Sequence, residues 1–563
     1  MFGLLPLSTM MGFKMMVSAS PSPRSPEITE KTKKYDRQLR LWGDHGQSRL
    51  EKSHVCLINS SATGTEILKS LVLPGVGSFT IVDGYKVTQE DIGINFFLDQ
   101  DSLGKSRAEY TTKLLLELNT DVNGEAIEEH PEMLLKQNPN FFNHFSVVIG
   151  CQLDEKTLVT ISQVLWESQV PFVYVNCIGF LGWVRVQVNE LAIIESHPDS
   201  TIQDLRLDVP FPELIAYMDA LTINSREVAQ KTPWLVLLFK AIQKFSTPST
   251  GDSMDTTGCH PCHMKSQEKQ EFKKYLKQYL CEVGLKDTDE EFDEVVKAAN
   301  SALSPSMINS NVQALLDDPK STKPEKTKFW VMCGALREFV ANNGQLPVRG
   351  VLPDMMADSD RYINLQSVYR EKASKDAEDI LGRSQQLLKQ AGLQGLTIVE
   401  EDVKLFCKEC QNLRLIRGYP MYEEINSVPV EILQELAQNT EDSDQEMMYY
   451  LLLRGLLRFQ GDYHTYPGLL DRDVEPDINR FKGTFTKLLN DWNATISAKE
   501  DCIHELCRYG ACELPSVAAF IGGCAAQEVI KIITKQYVPL DNTFIYNAMQ
   551  STSSSFKMTR ANS

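Results

Sequence analysis

No uncharged apolar run in this chain reaches the roughly 18 residues that a membrane-spanning helix needs, so the sequence predicts no transmembrane segment. Positive charge is also scarce, because 57 lysines and arginines stand against 75 acidic residues and leave a formal net charge of -18. This deficit argues against nucleic acid as a main partner. It is compatible with a basic protein partner, although acidity by itself mostly reflects solubility.

The sequence also lacks the regular cysteine spacing of a disulfide framework. Its 13 cysteines are odd in number and scattered along the chain. We therefore expect reduced thiols in a cytoplasmic or nuclear location, with any membrane association made through a partner.

The first 30 residues lack the features of a targeting peptide. Residues 1–17 are apolar but are interrupted by Pro6, Gly12 and Lys14, and they have neither a basic start nor many arginines. A signal or transit peptide therefore fits poorly. Because a serine- and proline-rich stretch follows, we interpret residues 1–30 as a disordered N-terminal extension.

Residues 54–83 have the order of a nucleotide-binding unit. Residues 55–58 predict a buried strand, residues 65–73 have apolar side chains at helical spacing, and residues 78–82 predict a second strand that ends at Asp83. Strand, loop, helix, strand and acid is the Rossmann order, in which the acid meets a ribose hydroxyl. The sequence thus predicts an α/β, Rossmann-like domain within a chain long enough for two or more domains.

The loop of this unit lacks the glycines that a dinucleotide requires. From residue 59 it reads Asn-Ser-Ser-Ala-Thr-Gly. A dinucleotide loop reads Gly-x-Gly-x-x-Gly, because a Cβ at either of the first two glycines keeps the backbone away from the phosphates. Only Gly64 remains, and we assign it to the packing of helix on strand. The prediction is a Rossmann scaffold without its phosphate cradle.

Further motifs lie outside this unit. Residues 35–43 read Tyr-Asp-Arg-Gln-Leu-Arg-Leu-Trp-Gly, and residues 515–523 read Pro-Ser-Val-Ala-Ala-Phe-Ile-Gly-Gly. They are accompanied, in order, by residues 71–78, 91–98, 103–109 and 526–533. These segments resemble the activating enzymes for ubiquitin and ubiquitin-like proteins, and the chain is identified as a member of that family.

The departures from the family pattern decide which half of such an enzyme the chain resembles. Adenylating members carry an Asn and an Arg in the segment that starts at Asp91, and this chain has Gly93 and Ile94 there. Asp83 and Lys105 remain, but an acid at a strand end and a surface lysine are common in any fold. The resemblance therefore implies an inactive, pseudo-adenylation subunit that binds no cofactor and no metal.

The resemblance also implies a discontinuous domain. Residues 31–190 and 496–563 would form the pseudo-adenylation domain, and residues 191–495 a large, mostly helical inserted domain. Amphipathic spacing in the insert predicts helices over residues 233–245, 267–283, 290–303, 329–342, 367–391, 429–438 and 444–459. Catalytic members hold a cysteine followed by threonine in such an insert. No cysteine of this chain precedes a threonine, so we expect none to form a thioester.

Two cysteine pairs are candidate ligands for a zinc ion. The spacing within Cys259/Cys262 and within Cys407/Cys410 suits a four-ligand site, but the pairs are far apart in the sequence. Residues 403–415 have apolar positions that predict a helix, in which Cys407 would be a core residue. The sequence does not decide between these alternatives.

Other segments narrow the resemblance. Residues 194–199, 204–208, 346–350, 353–359 and 504–510 resemble the regulatory subunits of the heterodimeric enzymes that start neddylation. This implies a catalytic adenylating subunit that binds ATP and magnesium and takes the modifier as a thioester. It also implies a ubiquitin-like modifier of the neddylation pathway and a conjugating enzyme that carries it on to cullins.

Three alternatives from other classes stay open. An adaptor would bind the tail of the amyloid precursor protein. The regulatory subunit of the sumoylation-activating enzyme is a second alternative, but it is far shorter and lacks the insert. A Rossmann oxidoreductase is the third, and the glycine-poor loop speaks against it.

The resemblance also implies which residues of this chain contact the partner subunit. An arginine in the family's first motif crosses to the phosphates of ATP bound by the other subunit, and here this is Arg37. A surface ion pair with Asp36 or Asp44 is the alternative. The family also contacts its catalytic subunit through an ordered loop, which here would use Leu346, Pro347, Arg349, Pro353, Asp354, Met355 and Ser359. A plain surface loop is the alternative there.

Overall fold

The computed structural model describes residues 30–199, 203–246, 260–323, 327–393, 395–426, 428, 446–494, 496 and 498–559. The described chain forms one large sheet, one small sheet and many helices. The strands are β1 His54–Ile58, β2 Ser78–Val82, β3 Asn123–Ile127, β4 Val147–Cys151, β5 Phe172–Ile178, β6 Leu181–Gln187, β7 Glu190–Ile193, β8 Arg414–Arg417, β9 Thr543–Asn547 and β10 Thr552–Phe556.

The helices of the first part of the chain are α1 Glu30–Glu51, α2 Ala62–Val72, α3 Gln89–Ile94, α4 Arg107–Leu116, α5 Pro131–Gln137 and α6 Glu155–Glu167. Those that follow are α7 Pro212–Ala220, α8 Arg226–Gln230, α9 Trp234–Ser246, α10 Ser266–Glu282, α11 Glu290–Ala302, α12 Ser310–Asp317, α13 Pro319–Thr322, α14 Lys328–Asn343, α15 Ser359–Gln390 and α16 Glu400–Lys408. The last are α17 Met421–Asn426, α18 Glu446–Tyr463, α19 Val474–Asp491, α20 Glu500–Tyr509 and α21 Pro515–Thr534.

The large sheet confirms the Rossmann-like prediction. Its strand order is β10-β9-β6-β5-β4-β1-β2-β3, and the five strands from β5 to β3 are parallel. Strands β6, β9 and β10 continue the sheet in antiparallel pairing. In such a sheet a ligand binds beyond the carboxyl ends of the strands, where the strand order reverses beside β1. The β1–α2 loop lies at that position.

The C-terminal part of the chain returns to this sheet. Strand β9 pairs with β6, and α21 packs against α2. The helices approach so closely that a Cβ on Gly522 would lie 2.7 Å from the Cβ of Glu66. By length and composition α21 is one helix of the described chain that could cross a membrane, but 61% of it is buried here. It therefore serves as a core helix.

The other face of the sheet is covered by α17, α18 and α19. Trp183 on β6 packs edge-to-face on Tyr450 of α18, with ring centroids 5.4 Å apart. The fully buried Arg185 of β6 pairs with the fully buried Glu424 of α17 at 2.7 Å, and the Tyr450 hydroxyl donates to Glu424 at 2.6 Å. The core that contains the sheet thus extends into the part of the chain assigned to the insert.

The rest of the insert forms two apolar clusters that share α15. One cluster lies among α7, α9, α10 and α11, and the other among α12, α14 and α16. Leu365 belongs to the first and Ile380 to the second, so α15, with 32 residues, spans both. Strands β7 and β8 form a small antiparallel sheet where the insert begins.

Most of the predicted helices are present, with two differences. The helix predicted from residue 367 begins earlier, at Ser359. The prediction of a helix over residues 403–415 is wrong beyond Lys408, because the chain turns there and pairs as β8 with β7. The helix predicted over residues 429–438 lies outside the described residues.

Candidate functional site

The β1–α2 loop is held by its own hydrogen bonds. Asn59 has a left-handed backbone with φ of 67°, and its side-chain amide donates to the carbonyl of Cys151 at 2.9 Å. Ser61 caps α2. A Cβ on Gly64 would lie 2.7 Å from the carbonyl oxygen of Asn59 and 3.2 Å from Leu57 of β1. Gly64 therefore permits the close packing of helix on strand that the sequence assigned to it.

Asp83 is fully buried at the end of β2, and protein donors use both of its oxygens. One oxygen accepts from the Ser60 amide at 2.8 Å, the Ser60 hydroxyl at 2.7 Å and Arg107 Nε at 2.7 Å. The other accepts from the Tyr85 amide at 2.9 Å. Because Asp83 has no exposed surface, a ribose hydroxyl could reach it only if the surrounding groups moved.

Arg107, the first residue of α4, holds two acids together. Its guanidinium contacts Asp83 and, at 3.1 Å, Asp91 of α3. Burial disfavours its charge, but the two carboxylates outweigh this effect and raise the pKa of Arg107 above its usual value. Sequence reasoning singled out Lys105 and missed Arg107. Lys105 is exposed, 5.1 Å from the centroid of the Tyr110 ring.

A second residue that sequence reasoning missed is Glu513, whose carboxylate lies at the N-terminus of α2. This residue comes from the loop between α20 and α21, and it is only 1% exposed. Its carboxylate accepts from the Ser61 hydroxyl at 3.0 Å and from the Thr63 amide at 3.4 Å. Burial raises the pKa of Glu513, although the polar groups of Thr63 and Ser61 act in the opposite direction.

We call the β1–α2 loop together with Asp83, Arg107 and Glu513 the closed cradle. A helix N-terminus at this place in the fold is where a nucleotide phosphate is bound, and an acid at the end of β2 is where its ribose is bound. Here the carboxylate of Glu513 accepts from donors at that helix end, and the guanidinium of Arg107 donates to the acid at the end of β2. Gly93, at the family's departure point, is exposed, and a Cβ added to it would meet no described atom within 4 Å.

Arg37 lies on the outward face of α1. Tyr35 and Trp42 are buried, at 3% and 8% exposure, and fix the inward face. Arg37 is exposed and forms no ion pair with any residue that the structure describes. The ion pair on this face is instead between Asp36 and Arg40, at 3.0 Å. The ion pair suggested as the alternative for Arg37 is therefore absent from the described part of the chain.

The loop between α14 and α15 is ordered and contains no regular element, as its composition predicts. Leu346 and Pro347 are buried within this chain, and their carbonyls accept from Arg206 Nη2 at 2.8 and 3.1 Å. Both side chains are buried and both carbonyls are engaged inside the fold, and a contact of these two residues with the partner stays a prediction.

The other five residues assigned to the partner contact differ in exposure. Arg349 is paired within the chain to Glu409 at 3.3 Å. Asp354 and Ser359 are exposed, whereas Pro353 and Met355 are half-buried. For these five residues a contact with the partner stays a prediction.

Of the two cysteine pairs, the described members lie in different clusters. Cys262 packs in the cluster around α9 to α11, and Cys407 and Cys410 pack in the cluster around α14 and α16. Burial raises the pKa of Cys262 and of Cys407 to about 12. Cys259 lies outside the described residues. Among the described residues, no group of three or more His, Cys, Asp or Glu side chains is arranged to hold a metal ion.

The chain matches the model of one protein family and the sequences of several known proteins. A model of the ThiF family matches residues 35–563. The chain is 44% identical over 538 residues to the NEDD8-activating enzyme E1 regulatory subunit of Danio rerio, a match that covers 94% of this chain and 99% of that protein. It is 43% identical over 544 residues to the subunit of the same name from Drosophila melanogaster, covering 96% and 100%. It is 39% identical over 541 residues to the NEDD8-activating enzyme E1 regulatory subunit AXR1 of Arabidopsis thaliana, covering 95% and 97%.

Proposed function

The chain belongs to the ThiF family and, within it, to the NEDD8-activating enzyme E1 regulatory subunits, and from that membership we propose that it is the non-catalytic half of a heterodimer that activates a ubiquitin-like modifier. The catalytic partner subunit binds ATP and magnesium, adenylates the C-terminal glycine of the modifier and takes it as a thioester on its own cysteine. The modifier then passes to a conjugating enzyme and on to cullins.

The observation that carries this proposal is the closed cradle in a chain so similar to regulatory subunits. The strands and helices of the Rossmann-like fold are present from β1 to α21, while Asp83 is engaged by Arg107 and the N-terminus of α2 by Glu513. A subunit built in this way supports the fold and the substrate of its partner without binding ATP itself.

Arg37 is the residue through which this chain would take part in the chemistry. A guanidinium offers planar, paired donors to phosphate oxygens and stays charged when it is partly buried. The exposure of Arg37 and its lack of an ion pair in the described chain leave it available to ATP on the partner. Supplied in trans, it would make adenylation depend on assembly, as an arginine finger does in other phosphoryl chemistry.

A reconstitution with the catalytic subunit tests the proposed function. Modifier-dependent exchange of pyrophosphate into ATP should require both subunits, and the two should purify together in equal amounts. In calorimetry, magnesium-ATP should give no heat with the isolated chain and a clear heat with the heterodimer. Micromolar binding of ATP to the isolated chain, or full exchange by the partner alone, would contradict the proposal.

A further inference from the structure

Glu513 has no cationic side chain as its partner. None of the ion pairs formed by the described residues includes it, although its side chain is buried. A buried carboxylate usually needs a paired cation or several hydrogen-bond donors. The donors here are the hydroxyl of Ser61 and the amide of Thr63, both at the N-terminus of α2. The partial positive charge of that helix end supplies the complement that a cation would otherwise give.

These are the donors that a phosphate group would use in an active member of the fold. A further donor lies at the same place. The buried hydroxyl of Thr63 is close enough to the carboxylate to act on it electrostatically, but it forms no well-aligned hydrogen bond with any described residue. A tetrahedral oxyanion has more acceptor positions than a carboxylate, so it could engage the Thr63 hydroxyl as well.

We propose that Glu513 is an internal anionic ligand, whose carboxylate occupies the phosphate position at the N-terminus of α2 and thereby keeps nucleotide phosphate out of this chain. The loss of loop glycines alone does not close the site. Truncation of the whole Glu513 side chain would leave a small oxyanion site at the same donors. This inference goes beyond the proposed function, because it holds whether or not a partner subunit is bound.

The same contact joins the two parts of the discontinuous domain. Glu513 lies 452 residues after Ser61 in the sequence. Its neighbour Cys512 accepts a hydrogen bond from the Gly179 amide at 2.7 Å, in the turn between β5 and β6. The carboxylate therefore ties the loop between α20 and α21 to the N-terminus of α2.

Inorganic phosphate is the probe for the test, with the full-length chain at constant ionic strength and chloride as the reference anion. In the Glu513→Ala variant, phosphate should raise the melting temperature in a saturable way. The ratio of folded to unfolded protein should increase about elevenfold at a phosphate concentration ten times its Kd. The wild-type chain and Glu505→Ala, which removes an exposed acid from α20, should show no saturable effect. Adding Ser61→Ala to Glu513→Ala should weaken the effect. A folded Glu513→Ala variant without saturable stabilisation would overturn the proposal.

A second variant keeps the proposal testable if Glu513→Ala fails to fold. Glu513→Gln preserves the volume of the side chain and removes its charge, so phosphate should still be excluded. Hydrogen exchange of the amides at Ala62, Thr63 and Gly64 should become severalfold faster, because the anion no longer stabilises this helix end. The amides in the middle of α21 should exchange at the wild-type rate. Unchanged exchange at the start of α2 would overturn the proposal as well.

Discussion

The closed cradle and the outer face of α1 differ in the burial and pairing of their charged side chains. In the cradle every acid is turned inward, and Asp83, Arg107 and Glu513 are nine-tenths or more buried. On α1 the inward face is apolar, and Arg37 points outward without an ion pair in the described chain. This difference indicates which part of the surface is available to a partner. The residues at the usual ligand position are part of the core, whereas Arg37, which we propose contacts phosphate on the partner, lies on a surface that a partner can reach.

The largest effect should come from the buried pair in the cradle. Asp83→Ala leaves Arg107 buried with only Asp91 to compensate its charge, and the loss of one partner of such a pair destabilises a fold by about 3–5 kcal/mol. Urea unfolding of the isolated chain measures this change. Asp36→Ala is the matched control, because it breaks an exposed pair with Arg40 that is worth at most about 1 kcal/mol. Equal stability of the two variants would mean that Asp83 is not part of a closed core.

The second prediction concerns Arg37 on the outer face of α1. Arg37→Ala should leave the heterodimer intact and lower pyrophosphate exchange at the partner's site by about tenfold or more, as expected if one charge-assisted contact of about 1.5–3 kcal/mol is lost. Arg37→Lys should restore only part of the rate, because the planar fork is missing. Arg40→Ala is the control on the same helix face, since Arg40 is already paired with Asp36. Unchanged exchange in Arg37→Ala, with assembly confirmed, would make Arg37 a structural residue.

The sequence predicts the scaffold around the cradle well, because local patterns determine it. The apolar runs of β1 and β2 and the helical spacing of α2 each lie within a few residues of chain. It also predicts the loss of the glycine loop. What it could not predict is what replaced the phosphate, since Glu513 reaches Ser61 from 452 residues away.

The other differences have the same origin in long-range packing. Residues 414–417 form β8 only because β7 offers an edge more than 200 residues earlier in the chain. Arg107 was missed because its pairing with Asp83 depends on how α4 sits below β2. The burial of Leu346 likewise follows from the packing of the insert, and its loop composition gives no sign of it.

Smaller effects are expected for Arg349 and Asp354, the two charged residues in the loop between α14 and α15 to which a partner contact was assigned. Arg349 is engaged by Glu409 within the chain and both side chains are mostly buried, so Arg349→Ala should lower stability, by about 1–2 kcal/mol. Asp354 is exposed, so Asp354→Ala should leave stability unchanged and weaken co-purification with the partner by up to about fivefold. The double variant should show both changes, added together. If Asp354→Ala keeps full affinity, the loop is a plain surface feature.

The smallest expected effect, none at all, concerns the thiols. A thioester requires an accessible thiolate. Burial, with a smaller contribution from Glu513, raises the pKa of Cys512, and Cys281 on α10 is exposed but is followed by Glu282 instead of the family's threonine. Changing each of the 13 cysteines to alanine should therefore leave the modifier on the catalytic subunit, as a reducible adduct seen on a gel. Adenylate formation, measured in parallel, controls for damage to the fold. A variant that forms the adenylate but loses the adduct would show that this chain supplies a nucleophile, and the contrast between its closed cradle and the outer face of α1 would no longer describe where it acts.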